Sequence, residues 1–361
     1  MFGRLDRYVG KVVLGSYLAT LVFIGFLWVV VDLLLNMTRY HRLATEKDFG
    51  LWDILTLWAQ FHTVSMPWIF VMLAPFVSVI GCMFAISRLM SSNEVTPMVF
   101  TGRSTARVLR PCLLIGVFSA VTMVGIWEVL LPATSRSMQK LDGLLNEGRE
   151  SGEIESVLLF SPDRRARLMV DSYQPELQRM TQVVAMDFGE SEEDLSEIRA
   201  TTALWDAERQ DWELQNGEFV QGEFREARDW LGMKGVTPEM LWLSARDTKS
   251  SAVLSYSETL ELIDMSPQRH DLVIAMHYHI TWPLANLVLL MLAMPFAVHF
   301  ERGSKIGRVV LAISICAGYL VVDLTCQNLG RQEFIHPVLA AWTPTILFGS
   351  LGAVMFGGMR T

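Results

Sequence analysis

Six apolar stretches, each close to twenty residues or longer, leave this chain few architectures to choose from. They cover residues 12–35, 64–86, 108–131, 280–298, 309–329 and 337–356. About 20 apolar residues in a helix cross the hydrocarbon core of a bilayer. No water is available there, so every backbone N–H and C=O must be satisfied within the segment, which a helix does. Pro67, Pro75, Pro283, Pro295 and Pro344 mark kinks or ends of such helices, where neighbouring groups can satisfy the freed carbonyls. The composition agrees: 51% of the 361 residues are hydrophobic and 19% charged, against about a quarter charged in an average soluble chain. The first stretch exceeds the core of a signal peptide and no small-x-small site follows it, so it is expected to stay as an anchor.

Lys and Arg gather on the cytoplasmic side of short loops. The N-terminus, the 88–110 region, the 301–308 region and the tail together carry eleven basic residues against Asp6, Glu94 and Glu301. On the other side, Arg39, Arg42 and Lys47 are balanced by Glu46, Asp48 and Asp53, and Arg331 by Glu333. Both termini are therefore predicted to be cytoplasmic, with residues 132–270 facing outward. That insert holds 15 basic and 27 acidic residues, a net of −12 against −8 for the whole chain, so the membrane part is net basic. The overall acidity makes a nucleic-acid partner a poor fit, since phosphate binding needs a basic patch. Cys82, Cys112, Cys316 and Cys326 all fall in predicted spans and are read as packing residues. The insert has none and must fold without disulfides.

Within the insert, residues 133–155 are polar and helix-compatible. Short runs of strand character follow at 157–160, 167–170, 181–187, 198–205, 212–214 and 219–224. Turn material separates them, including Ser161-Pro162-Asp163, Gly189-Glu190-Ser191 and Asn216-Gly217. This spacing predicts an all-β sandwich or open barrel. Its apolar interior either is filled by its own side chains or holds a greasy chain between the sheets.

Catalytic motifs are absent. There is no P-loop, Gly303-Ser304-Lys305 lacking the second glycine and the loop, and no G-x-S-x-G, H-E-x-x-H or G-x-G-x-x-G. His270, His277 and His279 gather at the outer end of span four, yet 277 and 279 point to different faces of a helix and no third metal ligand accompanies them. Ionisable residues inside spans are functional candidates because burying charge in lipid is costly. Asp32 lies 21 residues after Lys11, about 31 Å along a helix, near the outer interface. Asp323 lies deeper, beside Gln327 and Asn328, as an inter-helix hydrogen-bonding contact or part of a substrate path.

The loop after span two reads Ser91-Ser92-Asn93-Glu94-Val95-Thr96-Pro97-Met98-Val99-Phe100-Thr101-Gly102. Ser91 and Glu94 stand at capping-box spacing with Gly102 suited to end a helix, or Thr96 caps and Pro97 takes the first helical position. Either way a short helix presents Val95, Met98, Val99 and Phe100 with a single acid, to lie on lipid or to plug a groove on a partner.

Taken together, the pieces resemble the LptF/LptG (YjgP/YjgQ) permeases of the lipopolysaccharide exporter. These pieces are the Leu5-Asp6-Arg7-Tyr8 opening, the loop from Asn93-Glu94 to Gly102, Trp212-Glu213-Leu214-Gln215-Asn216-Gly217, and Pro283-Leu284-Ala285 through Met294-Pro295-Phe296-Ala297. The opening is nearer the LptG branch. The resemblance covers essentially the whole chain. It implies six transmembrane helices with an inserted extracytoplasmic all-β, jellyroll-like domain. Residues 1–131 would carry spans one to three with a cytoplasmic coupling loop at 88–107, residues 132–270 the periplasmic domain, and residues 271–361 spans four to six.

In function, it implies a non-enzymatic inner-membrane permease, half of an ABC-type exporter. The exporter would extract lipopolysaccharide, or a related phosphorylated glycolipid, from the outer leaflet and pass it to periplasmic jellyroll adaptors. Its partners would be a paralogous six-span chain and a cytoplasmic ATPase dimer, which would bind the ATP, leaving this chain without a cofactor or metal. Glu94, Val95, Met98, Val99, Phe100 and Gly102 would couple to the ATPase, Arg39 and Arg42 would meet lipid phosphates, and spans one and five, with Asp32 and Asp323, would form the gate. Two departures stand out: Pro97 falls inside the coupling loop, and His277 and His279 replace basic residues, which leaves phosphate contacts there pH-dependent or lost. The competing reading is a membrane-anchored scaffold whose β domain docks envelope proteins and moves no lipid.

Overall fold

A computed structural model describes residues 4–46, 50–100, 105–147, 154–160, 166–187, 196–233, 236–249, 254–265, 269–299 and 305–358. The chain divides into two compact units. One comprises Met1–Asn36, Met66–Leu130 and Val273–Thr361, the other Met37–Ser65 and Leu131–Leu272.

The first unit is helical. Its elements are the bulk of α1 (Arg4–Glu46), most of α2 (Leu51–Ser91), the short α3 (Val95–Phe100), α4 (Thr105–Gly125) with the π-helical turn Ile126–Leu130, α8 (His270–His299), α9 (Lys305–Arg331) and α10 (Pro337–Gly357). Among the described residues, six helices are long and apolar enough to cross a membrane, as the apolar stretches predict. They are longer than those stretches. At 43 residues α1 extends about 65 Å, so the run 12–35 is only its middle. Hydropathy marks where a helix meets lipid; the hydrogen-bond ladder continues until something breaks it. The region 36–63, read from charge as a loop, is accordingly helical over 36–46 and 51–63. The second helix is started by Gly50, whose N–H donates to Asp53 Oδ2 at 3.0 Å while the Asp53 N–H donates back to the Gly50 carbonyl at 3.0 Å. Pro67 and Pro75 sit inside an unbroken α2.

The centre of this unit is where α2 meets α8. Val71, Ala74, Val77, Ser78 and Ala85 on α2, with Ala285, Asn286, Leu289, Leu290 and Ala297 on α8, are fully buried. Lipid tails are as apolar as leucine, so helices in a membrane associate by close packing and hydrogen bonds rather than by escape from water. Both appear here. Trp282 Nε1 donates to the Val71 carbonyl at 2.9 Å, and Ser78 Oγ to Asn286 Oδ1 at 2.8 Å. The Asn286 amide in turn reaches Met123 Sδ on α4 at 2.9 Å.

In the second unit, α5 (Leu131–Asp142) and a π-helical turn, Gly143–Glu147, lead, among the described residues, to seven antiparallel strands: β1 (Ile154–Phe160), β2 (Ala166–Gln174), β3 (Arg179–Asp187), β4 (Ser196–Asp206), β5 (Asp211–Gln215), β6 (Glu218–Gln221) and β7 (Phe224–Ala227). The first four form a meander. Strands β5 and β6 then run end to end, in the same direction, along one edge of β4, β5 against Thr202–Asp206 and β6 against Ser196–Arg199. The run 219–224 was expected as one strand and is two, because Gly222 at φ 58° turns the chain and pairs Gln221 with Phe224. Asn216 at φ 54° only interrupts the pairing between β5 and β6, so the turn expected at Asn216-Gly217 does not reverse the chain. Gly217 beside it has no alternative, since a Cβ would lie 2.0 Å from the Arg228 carbonyl.

The inserted β domain is thus present. It is not purely β: α6 (Pro238–Lys249) and α7 (Tyr256–Met265) follow the sheet. Leu241 of α6 joins the sheet's buried core with Tyr173, Met180, Ala203 and Trp212. These side chains occupy the interior themselves. Trp212 Nε1 donates to the Val236 carbonyl at 2.6 Å, and the Tyr173 hydroxyl to the Pro238 carbonyl at 3.3 Å. Burial pushes the Tyr173 hydroxyl pKa up to about 12, since a phenolate would lose its hydration there.

Candidate functional site

Helix α2 ends in a tight, fully bonded turn. The Glu94 N–H donates to the Leu89 carbonyl and the Asn93 N–H to the Met90 carbonyl, each at 3.0 Å, with Asn93 left-handed at φ 52°. This is the Schellman arrangement, in which Asn is the usual substitute for glycine. Ser91 does not form the capping box that its spacing suggests; its hydroxyl donates back to the Arg88 carbonyl at 3.0 Å. Nor does Thr96 start the short helix. Helix α3 begins at Val95, so Pro97 is its third residue. The first four N–H groups of a helix have no partner within it, so proline costs little there. Among the described side chains of α3, Met98 is buried and Phe100 is 85% exposed and points outward. Gly102 and the side chains of Val95 and Val99 lie outside the described residues.

Glu94 is held from a second direction. The Tyr8 hydroxyl on α1 donates to Glu94 Oε2 at 2.8 Å. Two short sequence pieces, Leu5-Asp6-Arg7-Tyr8 and Asn93-Glu94, thereby meet across 86 residues of chain. Neither piece alone signals the pairing.

The other candidates are separate from this turn. Asp32 accepts from Asn36 Nδ2 at 2.9 Å, one turn along α1. Arg39 is exposed on α1, and the Arg42 side chain lies outside the described residues. Asp323 is 2% exposed. It accepts from Gln327 Nε2 at 2.8 Å on its own helix and, at 3.4 Å, from the Tyr278 hydroxyl on α8. The Tyr278 ring stacks on Trp282 with centroids 5.2 Å apart. His277 and His279 diverge, as their spacing requires. The Trp342 indole donates to His277 Nδ1 at 3.4 Å, whereas His279 pairs through Nδ1 with the Ala275 carbonyl at 2.8 Å and lies 4.3 Å from the Trp127 ring. Among the described residues no group of three or more His, Cys, Asp or Glu is placed to hold a metal ion.

A second polar cluster escaped the sequence reading. The Tyr17 hydroxyl on α1 and Ser119 Oγ on α4 are 3.1 Å apart, near the crossing of α1 over α2. There, a Cβ on Gly81 would lie 2.9 Å from Tyr17 Cα. The available signal was a tyrosine, two serines and an asparagine within otherwise apolar spans.

Spans joined by packing and buried hydrogen bonds, with an inserted antiparallel domain, define a multi-pass membrane protein. The chain matches the family described as "Lipopolysaccharide export system permease LptF/LptG" over residues 7–357, and it belongs to that family. It is 21% identical to the lipopolysaccharide export system permease protein LptG of Escherichia coli strain K12, over 96% of each chain. The LptG of Escherichia coli O6:H1 strain CFT073 matches to the same extent. The family is one of transport permeases rather than catalytic enzymes.

Proposed function

We propose that this chain is one permease half of an ATP-driven exporter, paired with a paralogous six-span chain. The pair takes lipopolysaccharide, or a related phosphorylated glycolipid, from the outer leaflet of the inner membrane and hands it to periplasmic jellyroll adaptors. A separate cytoplasmic ABC ATPase dimer binds and hydrolyses the ATP, so this chain needs no cofactor of its own. Both termini are cytoplasmic and residues 132–270 periplasmic, a reading supported by eleven basic residues against three acids on the cytoplasmic side of the short loops.

The observation that carries this reading is the turn at Asn93. Its backbone is fully bonded, and Glu94 is fixed by Tyr8 at 2.8 Å, so the carboxylate is pre-oriented for a basic residue of a partner. Phe100, 85% exposed, is the apolar anchor that a helix-in-groove contact uses. A rigid contact of this kind can transmit displacement, which a flexible loop could not. Arg39 and Arg42 meet lipid phosphates, to which guanidinium groups bind through paired charge-assisted hydrogen bonds. Spans one and five line the opening through which lipid enters, with Asp32 and Asp323 as its polar residues.

Glu94→Arg tests the reading. In the complex reconstituted in vesicles, the reversed charge should abolish lipid export while the six spans still assemble with the paralogous chain. Normal export by this variant would remove Glu94 from the coupling role. Purification of the tagged chain in mild detergent should also recover a second six-span protein and a P-loop ATPase.

A further inference from the structure

On α1, Arg7, Lys11, Leu14 and Leu18 are all exposed and follow one another at intervals of four, three and four residues, which makes one stripe along the helix. On α4, Arg107, Arg110, Leu114, Val117 and Val121 are exposed at intervals of three, four, three and four, which makes another. Each stripe is basic at its start and apolar beyond. The two helices lie side by side in nearly constant register. A Cβ on Gly10 would lie 4.0 Å from Pro111 Cβ, and the Tyr17 hydroxyl is 3.1 Å from Ser119 Oγ. Carried along both helices, that register puts all four cations within about 8 Å of one another in height. Val9 and Val13 on α1, with Cys112 and Met123 on α4, are buried on the opposite sides, so both stripes open on one outer face of the pair.

Among the described residues, none of these four cations forms an ion pair. Four like charges that close repel one another unless an anion sits among them. Lys11 and Arg110 stand one turn from Leu14 and Leu114, both more than 45% exposed. Their long side chains therefore end at the level of lipid headgroups, with their stems along apolar surface. The cations also come as two pairs, one on each helix, and each pair stands over its own apolar stripe. A lipid with two phosphates, each carrying its own tails, matches that doubling.

We propose that the paired ends of α1 and α4 bind a cardiolipin-type phospholipid of the cytoplasmic leaflet, one phosphate on Arg7 and Lys11, the other on Arg107 and Arg110, with the tails along the two apolar stripes. The choice of leaflet rests on the orientation proposed above; the site itself does not. This lipid is a resident, distinct from the exported cargo. It neutralises the four charges and holds α1 against α4.

Native mass spectrometry of the delipidated complex, titrated with tetraoleoyl cardiolipin, tests the site. Cardiolipin should bind about tenfold or more tightly than dioleoyl phosphatidylglycerol, which has one phosphate and so engages one pair of cations. Lys11→Gln and Arg107→Gln should each weaken cardiolipin binding about fivefold, the contribution of one basic residue near an anionic lipid, and together about 25-fold. Arg331→Gln, at an exposed position at the far end of α9, should change nothing. The delipidated variants should unfold at the wild-type midpoint, so that lost binding reads the contact and not the fold. Equal affinity for the two lipids, or unchanged affinity in the double variant, overturns the site. So does loss of the ATPase from the double-variant complex with cardiolipin binding intact, which would assign the cations to an acidic protein surface. Arg4→Cys, in a Cys326→Ser background, separates the site from the orientation. Labelling by a membrane-impermeant maleimide only after spheroplasts are opened places the lipid in the cytoplasmic leaflet. Labelling in intact spheroplasts overturns the orientation and the choice of leaflet, while the titration still decides the site.

Discussion

Helices α1 and α2 are almost equally apolar, yet their surroundings are opposite. In the apolar window of α1 only 6% of residues are buried within the chain, against 67% in that of α2. Apolarity therefore qualifies a helix to enter the bilayer but does not say whether it will face lipid or protein. What separates the two is shape and sparse polarity. Helix α2 offers Ala74, Ser78 and Ala85, and α8 answers with Ala285, Asn286, Ala293 and Ala297, so their backbones can approach and their few polar groups can pair. The outer part of α1 presents Val22, Phe23, Phe26, Leu34 and Leu35 outward, a large-residue surface that suits lipid or a second chain.

This contrast can be broken or sharpened by mutation. The largest effect should come from Trp282→Ala. Trp282 is 2% exposed, stacks on Tyr278 and bonds to the Val71 carbonyl, so its loss leaves a cavity and an unpaired carbonyl at the α2–α8 contact. A cost of about 3–5 kcal/mol should lower the thermal unfolding midpoint of the detergent-solubilised chain by several degrees. An unchanged midpoint would mean that α2 and α8 are not the centre of the membrane unit.

Gly81→Ala comes next. Its methyl would lie 2.9 Å from the Tyr17 backbone, and overpacking of that kind costs about 1–3 kcal/mol. The two helices should separate, so crosslinking between cysteines flanking the crossing should weaken. Undiminished crosslinking would show that the approach is not tight. Phe26→Ala should do least, under about 0.5 kcal/mol as for other substitutions at exposed positions. A large drop in midpoint would show that Phe26 is packed against something in the solubilised protein.

Much of this architecture is legible without coordinates. The spans follow from length and apolarity, because the bilayer imposes a minimum run. The strands follow from alternation and turn residues, although Asn216-Gly217, which has the composition of a turn, only interrupts the pairing between β5 and β6. Legibility fails where the deciding partner is remote or where one residue can serve two geometries. Gly222 could sit within a strand or turn it, and only the pairing of β6 with β7 shows the turn. Ser91 has the spacing for a capping box, yet its hydroxyl finds the Arg88 carbonyl first. The limits of α1 and α2 were hidden because polar flanking residues continue a helix without any apolar signal.

The sequence by itself determined that this chain crosses a membrane six times and carries an acidic β domain between spans three and four, since hydrocarbon thickness and strand alternation act locally on the chain. The tertiary structure alone decided which equally apolar helices form the core, that Tyr8 reaches Glu94, and that α1 meets α2 closely at Tyr17 and Gly81. Those outcomes depend on residues scores of positions apart, and only the packing of small side chains against one another brings them together.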